Sequence, residues 1–284
     1  MKYPRCVLPL CLLVASPAWA QSDGPLSTQT ITALSSRSLT VQDQGATRTE
    51  VAVPDLFTGT LSSELPLQIP AGRGGMTPVV SLRYRSTHMN SWIGTGWDLT
   101  VGAIERDIRN GLDFAGDAYV LDDGTARTTL AAVGADRYAA QVEENFFRIR
   151  KLPGEGGPYF EVTTTEGTQY VYGRTAATRL DDPADASHVF GWMLESVRDT
   201  RGNTIRYEYA KAAQPAREMY LTAIRYASND GLASLAASHL IEFIRAGRSD
   251  IASSFTTGFR TQVSQLLQAV EANASSHASS QQTA

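Results

Sequence analysis

The stretch SWIGTGWDL, residues 91–99, holds two glycines one residue apart and two tryptophans within six positions. It reads either as a loop that cradles a phosphate or as the turn between two β-strands, and the fold depends on which. A dinucleotide fingerprint needs a third glycine and a helix behind it. Here Gly94-Thr95-Gly96 is followed by Trp97, Asp98 and Leu99, then by VGAIERD, residues 101–107, which alternates as a strand does. A Walker loop needs Gly-Lys-Ser/Thr, and the chain has none. The turn reading wins. Gly94 and Gly96 permit positive φ or close backbone approach, and Trp97 offers a large apolar surface for a neighbouring sheet to bury. These three residues are expected to anchor a strand-turn-strand junction.

Outward from this junction the period is two. In VVSLRYRS, residues 79–86, Val80, Leu82 and Tyr84 face one way and Ser81, Arg83 and Arg85 the other. In NTIRYEYA, residues 203–210, Ile205, Tyr207 and Tyr209 alternate with Arg206 and Glu208. YFEVTTT (159–165) and TQYVYG (168–173) repeat the habit. Alternating β-branched and aromatic residues with charges between them mark half-buried antiparallel strands. Asp123-Gly124, Glu166-Gly167, Gly202-Asn203 and Asp230-Gly231 punctuate them as turns. The fold class is all-β, about a dozen antiparallel strands in hairpins. At most one or two short helices are expected. LASLAASHL (232–240) is one candidate. TQVSQLLQAV (261–270) is the other, with Val263, Leu266, Leu267 and Val270 at i, i+3, i+4, i+7.

The ends differ from the middle. Lys2 and Arg5 precede the apolar run VLPLCLLVA, and Ala18-Trp19-Ala20 forms an A-x-A cleavage pattern before Gln21. Residues 1–20 are read as a Sec-type signal peptide cut between Ala20 and Gln21, because the run is far short of the ~20 residues that span a bilayer. Leu10 before Cys11 lacks the small side chain of a lipoprotein signal. Both cysteines, Cys6 and Cys11, lie inside this leader. The mature chain therefore has no disulfide, no thiol nucleophile and no Cys-ligated zinc. Its 264 residues hold together by core burial, which at this size removes roughly three quarters of the unfolded surface from water. Residues 21–50 read as a flexible Ser/Thr/Gln-rich lead-in, 51–270 as the β domain, and 271–284 (EANASSHASSQQTA) as a disordered tail. The mature chain carries 23 basic and 29 acidic residues without a basic run, which argues against nucleic acid as a partner. No later segment is apolar enough to span a membrane.

Candidate chemistry is sparse. Gly-x-Ser-x-Gly is absent, and His88, His188, His239 and His277 are scattered without His-x-x-x-His spacing. His88 reads as a turn residue and His239 as the start of a strand. Asp113, Asp117, Asp122 and Asp123 are the best metal candidates, with calcium the natural ion for hard oxygen ligands. Their spacing is not that of an EF-hand, and aspartate beside glycine also simply forms turns. Arg73, Arg83, Arg85, Arg109, Arg148 and Arg150 hint at an anion-binding face. Arginine outnumbers lysine 22 to 3 throughout, so solvated strand faces are the default reading. No catalytic residue, cofactor site or metal site is assigned.

One longer pattern carries a resemblance. From Leu65 to Asp107 the ordered set Pro70, Gly72, Gly75, Pro78, Leu82, Tyr84, Ser86, Asn90, Gly94, Gly96, Trp97, Leu99, Ile104 and Arg106 resembles the opening domain of the Salmonella plasmid virulence B (SpvB) family. That domain is shared with the B subunits of insecticidal Tc toxin complexes. FEVTTTEGTQYVYG continues the likeness. GWMLESVRDTRGNTIRYEY is similar to an Rhs/YD-type unit, with Asp199, Gly202, Asn203, Tyr207 and Tyr209 in place. The likeness covers about Phe57 to Leu267. It implies the first part of a large β-sheet shell that encloses a toxic C-terminal segment and docks on a pore-forming partner. In the virulence protein the domain precedes a separate ADP-ribosyltransferase domain, which needs a Glu-x-Glu loop. No Glu-x-Glu occurs here, and Glu143-Glu144 are adjacent. The relatives run on well past the point where this chain stops. The expectation is therefore a secreted, non-catalytic structural or interaction domain, truncated or split. Its implied partners are other toxin-complex or Rhs-type chains, or the missing C-terminal part. The alternatives are a stand-alone exported binding or adhesion module, and the remnant of a transferase toxin. An uncharacterised hydrolase and an outer-membrane barrel rank below these, the last because many strands lack a lipid-facing apolar row.

Overall fold

The computed structural model describes residues 55, 59–99, 101–142, 145–213, 216–231 and 235–274. The expected signal peptide with its Ala20/Gln21 cleavage point, the lead-in, Glu143-Glu144 and His277 lie outside the described residues. The chain is all-β, and the only helical turns among the described residues are the short 3-10 turns Arg73–Gly75 and Ala176–Thr178.

Three strands form a small antiparallel sheet in chain order: β1 (Ser62–Pro66), β2 (Ser81–Arg85) and β3 (Trp97–Leu99). A second, larger sheet begins as a meander: β4 (Ala103–Arg106), β5 (Tyr119–Asp122), β6 (Arg127–Ala132), β7 (Arg137–Ala140), β8 (Arg148–Leu152), β9 (Tyr159–Thr163) and β10 (Gln169–Tyr172). Each pairs with the next. The ten-residue β12 (Val189–Arg198) then closes the ring. Its first half pairs with β4 through Gly191–Met193, and its second half pairs with β10 through Leu194–Arg198. Strands β4 to β10 with β12 thus form a closed eight-stranded antiparallel barrel, a size whose interior side chains can fill. The short β11 (Arg179–Asp181) pairs with the free side of β12's first half. From β12's second half the sheet continues outward through β13 (Asn203–Ala212), β14 (Glu218–Asn229), β15 (His239–Ser254) and β16 (Thr261–Ala274).

The core follows from the period of two. Ile104, Tyr119, Leu130, Tyr138, Ile149, Phe160 and Trp192 are all buried in one cluster. Tyr119, Phe160 and Trp192 stack edge to face at centroid distances of 5.0–5.5 Å, and Tyr138 joins Tyr119 at 5.5 Å. Such aromatic pairs add about 0.5–1.5 kcal/mol each beyond their buried area. The hairpins turn where the dipeptides stand. Asp199 Oδ1, for example, accepts from the amides of Arg201 and Asn203, both at 2.8 Å, between β12 and β13.

Two helix expectations are corrected. Residues 261–270 lie in β16. Ile244 pairs with Ala269 and Arg245 with Leu267, so Gln268 is an extra, unpaired residue. That bulge resets the alternation, and Leu267 and Val270, three apart, are both buried. A bulged strand thereby imitates helical spacing. In the other segment, residues 235–238 have no regular structure, His239 and Leu240 open β15, and 232–234 lie outside the described residues. The tail boundary at Glu271 also moves, because β16 runs on to Ala274 with Glu271–Ala274 paired to Glu242–His239.

Candidate interaction edge

The junction at residues 91–99 fastens the small sheet to the outer strands. Gly94 has φ +145° and Gly96 φ +82°, and a Cβ on Gly96 would stand 2.5 Å from Cε2 of Tyr84. The Ser91 hydroxyl donates to the Trp97 carbonyl at 2.5 Å and accepts from the Ile93 amide at 3.0 Å, which holds the turn. Ile93 is fully buried, whereas Trp97 is half-buried with its ring tilted on Tyr84 at 5.3 Å. Trp92 meets Tyr220 and Phe243 edge-on, both at 6.1 Å, and its carbonyl accepts from the Leu267 amide at 2.7 Å. Arg248 donates to the Ser91 carbonyl and to Asn90 Oδ1. A sequence with only turn and strand features thus places a joint between β3 and the β15–β16 hairpin.

That hairpin leaves an edge open. One side of β16 is paired to β15 along most of its length. On its other side the first half is covered. The Gln262 amide donates to the Arg217 carbonyl at 3.0 Å, the Ser264 amide to the Tyr220 hydroxyl at 2.9 Å, and Leu267 to Trp92. Buried Glu218 knits this region by accepting from Tyr220, Ser264 and Gln262 side chains at 2.7, 2.6 and 3.1 Å. Past Leu267, no backbone partner is recorded on that side among the described residues, so Gln268–Ala274 presents a bare edge. Unpaired N–H and C=O groups in a row are a template for another strand. The same hairpin exposes Ile244, Ile251 and Phe255.

The other candidates do not converge. Asp113, Asp122 and Asp123 accept amides of their own turns, and Asp117 pairs with Lys151 at 2.6 Å. Among the described residues no three acidic or imidazole groups gather as a metal site. His188 stacks on Phe114 at 4.5 Å, His239 pairs with Ser238 at 2.8 Å, and exposed His88 lies 3.9 Å from Asp98. Arg83, Arg109 and Arg150 each face an acid, namely Glu64, Asp107 and Asp136.

Two residues that sequence reasoning did not single out for this role hold the loops. Arg106, buried, donates to the carbonyls of Val189, Asp113, Gly116 and Phe114 at 2.7–2.9 Å and sits over the Phe114, Tyr119 and Trp192 rings. Arg179, 2% exposed, donates to five carbonyls from Glu155 to Arg174, and burial pulls its pKa down. Arg106 stands in the family-like pattern, which was the one available signal.

The fold and the edge define a class: an all-β domain in which a closed barrel carries a sheet with an open end. The chain belongs to the SpvB family, whose model, described as Salmonella virulence plasmid 65kDa B protein, matches residues 56–234. The mono(ADP-ribosyl)transferases SpvB of Salmonella choleraesuis and Salmonella typhimurium are 31% identical to it over 176 residues, 53% of this chain and 30% of theirs. The chain thus spans less than a third of the length of these relatives. The N-terminal domain of the effector protein SpvB from Salmonella typhimurium superposes with TM-score 0.63 at 22% identity, over 73% of this chain and 86% of that one. TcdB2-TccC3 superposes with TM-score 0.69 at 20% identity, over 89% of this chain and 15% of that one. The Photorhabdus luminescens Tc holotoxin pore gives TM-score 0.67 at 21% identity, over 76% and 13%. The chain is an all-β domain of the SpvB family. No helix among its described residues is long and apolar enough to cross a membrane.

Proposed function

We propose that this chain is the opening, non-catalytic section of a secreted β-shell of the SpvB and Tc type, exported through its Sec-type leader. Its role is to seat further polypeptide, either its own continuation or a partner toxin-complex chain, on the open side of β16. The observation that carries the reading is the bare edge Gln268–Ala274 on the last strand of the large sheet. Superposition on 13–15% of much longer Tc chains supports it. The missing Glu-x-Glu supports the non-catalytic part.

The test is to co-express the chain with the polypeptide encoded just past the codon for Ala284 or by the adjacent gene. A stable complex by sedimentation, with no NAD consumption by the chain alone, is the expected result. NAD turnover by the purified chain, or failure to associate with any adjacent product, overturns it.

A further inference from the structure

Where the barrel mouth meets the small sheet lies a half-open cavity of about 550 Å³, within the size range of small-molecule sites. Its floor is apolar, with Leu121, Val162, Leu194 and Ile205. Three tyrosines line it: Tyr170 on β10, Tyr172 on β10 and Tyr207 on β13. Tyr172 is 3% exposed and Tyr207 7%, yet neither hydroxyl has a recorded hydrogen-bond partner among the described residues. Three other tyrosines, one of them half-buried, are spoken for. Tyr209 donates to the Leu194 carbonyl, Tyr226 to the Pro70 carbonyl, and Tyr220 to Glu218. Neither oxygen is among the sealed, unpartnered polar atoms of the interior, so each keeps open surface at the cavity with its hydrogen-bonding capacity unused. A methyl group added at Gly102, itself a lining residue, would sit 3.3 Å from the Tyr172 hydroxyl, which places that hydroxyl at the cavity wall.

The charge of the wall is one-sided. Glu64, Asp123 and Asp199 line the cavity, and among the described residues no lysine, arginine or histidine does; Arg83 stands just behind the wall, 3.6 Å from Glu64 and donating to the Gly124 carbonyl, which leaves Asp123 and Asp199 as the carboxylates not paired to it. Hydrogen bonds keep two of these carboxylates ionised: burial acts against this, but the Thr125 hydroxyl and local amides hold Asp123 below its ordinary pKa, and the Asn203 side chain and amides do so for Asp199. Phenol oxygens that accept, aromatic faces and carboxylates together match a cation, and the apolar floor matches a hydrocarbon body.

We propose that this cavity is a binding site for an amphipathic organic ammonium, its apolar body on the Leu121–Ile205 floor and its N–H groups on Tyr172, Tyr207 and the acidic wall. Free amines and a lysine side chain of another polypeptide share this chemistry. The test titrates the whole chain with phenethylamine, with its uncharged and anionic analogues 2-phenylethanol and 3-phenylpropionate, and with Nα-acetyl-lysine amide. Phenethylamine is expected to bind one to one, at least tenfold more tightly than 3-phenylpropionate, with 2-phenylethanol between them. Binding of the lysine derivative as tight as phenethylamine points to a polypeptide source, and weaker binding to a free amine. Tyr172→Phe and Tyr207→Phe are each expected to weaken phenethylamine about tenfold, the worth of one hydrogen bond to a charged group. Because neither hydroxyl has a protein partner, both variants are expected to keep or raise Tm. Three results overturn the proposal: no phenethylamine binding up to ~10 mM, as for a cavity holding water only; equal affinity for 3-phenylpropionate; or Phe variants that bind as the parent does or lose Tm.

Discussion

Single residues set the barrel's stability, and two kinds are exposed to test. Arg106 satisfies four carbonyls of the barrel's end loops from a buried position. Arg106→Met orphans them, with an expected loss of about 3 kcal/mol or more. Arg106→Lys recovers only part, because an ammonium lacks the planar fork that reaches several carbonyls at once. Chemical denaturation of the three proteins measures both differences. Trp192 is 1% exposed and Trp97 half-buried, so Trp192→Ala is expected to cost about 3–5 kcal/mol and Trp97→Ala clearly less. In the sequence the reverse emphasis was natural. Trp97 stands beside two glycines and announces a turn, while Trp192 opens the Rhs/YD-like stretch with nothing beside it to mark its burial. Arg106 was equally hidden, since an arginine between strand residues reads as solvated until the loop that folds over it is known. The buried tyrosines give a pH dependence. Burial raises the pKa of Tyr172, Tyr207 and Tyr209, and that of Tyr138 to about 12. A phenol whose folded pKa is raised stabilises fully below its unfolded pKa of about 10, and this contribution is lost as pH climbs toward the folded value. Stability is expected to be insensitive to these groups from pH 7 to 9. Above pH ~10 it falls by up to ~1.4 kcal/mol per pH unit for each such tyrosine. Phenolate absorbance and circular dichroism should then change together. Phenolate forming well before unfolding counts against buried, unionised tyrosines.

At the level of elements, the strands with strict alternation were legible and the bulged β16 was not. β2, β9, β10 and β13 lie where VVSLRYRS, YFEVTTT, TQYVYG and NTIRYEYA place them. In β16 a single unpaired residue converts a spacing of two into three, and local pattern has no means of telling that from a helix. The consequence is testable by deletion. Removing Gln268 leaves Leu267 opposite Arg245 and Ala269 opposite Ile244, so the ladder becomes regular and Val270 stays inward. Removing Leu266, which lies in the regular stretch opposite Ala246, slips one side of the strand by a residue and turns its buried face outward. The Gln268 deletion is therefore expected to stay folded with a small drop in Tm, and the Leu266 deletion to lose the β15–β16 hairpin. Equal damage from both would contradict the bulge as the source of the pattern.

For the whole molecule, a closed barrel and an open-ended sheet sit on one strand, β12, whose two halves belong to different neighbours. Hairpin spacing alone could not reveal this, because ring closure between β10 and β12 is a pairing of non-consecutive strands. What the sequence did carry was the ordered family-like pattern, and with it the family. The two parts are expected to differ in hydrogen exchange. Barrel amides open only with the core around Tyr119 and Trp192, so they should exchange at the slow, global limit. In β16 the amides that face β15 should be protected, while the outward amides between Gln268 and Ala274 should exchange fast in the isolated chain. Adding the polypeptide encoded downstream should slow that same set and leave the barrel unchanged, since a strand added to a bare edge protects only the groups it pairs. Protection of these amides in the isolated monomer would mean that the chain covers its own edge. Fast exchange that persists in a stable complex would move the docking surface elsewhere, to the exposed Ile244, Ile251 and Phe255 of the same hairpin.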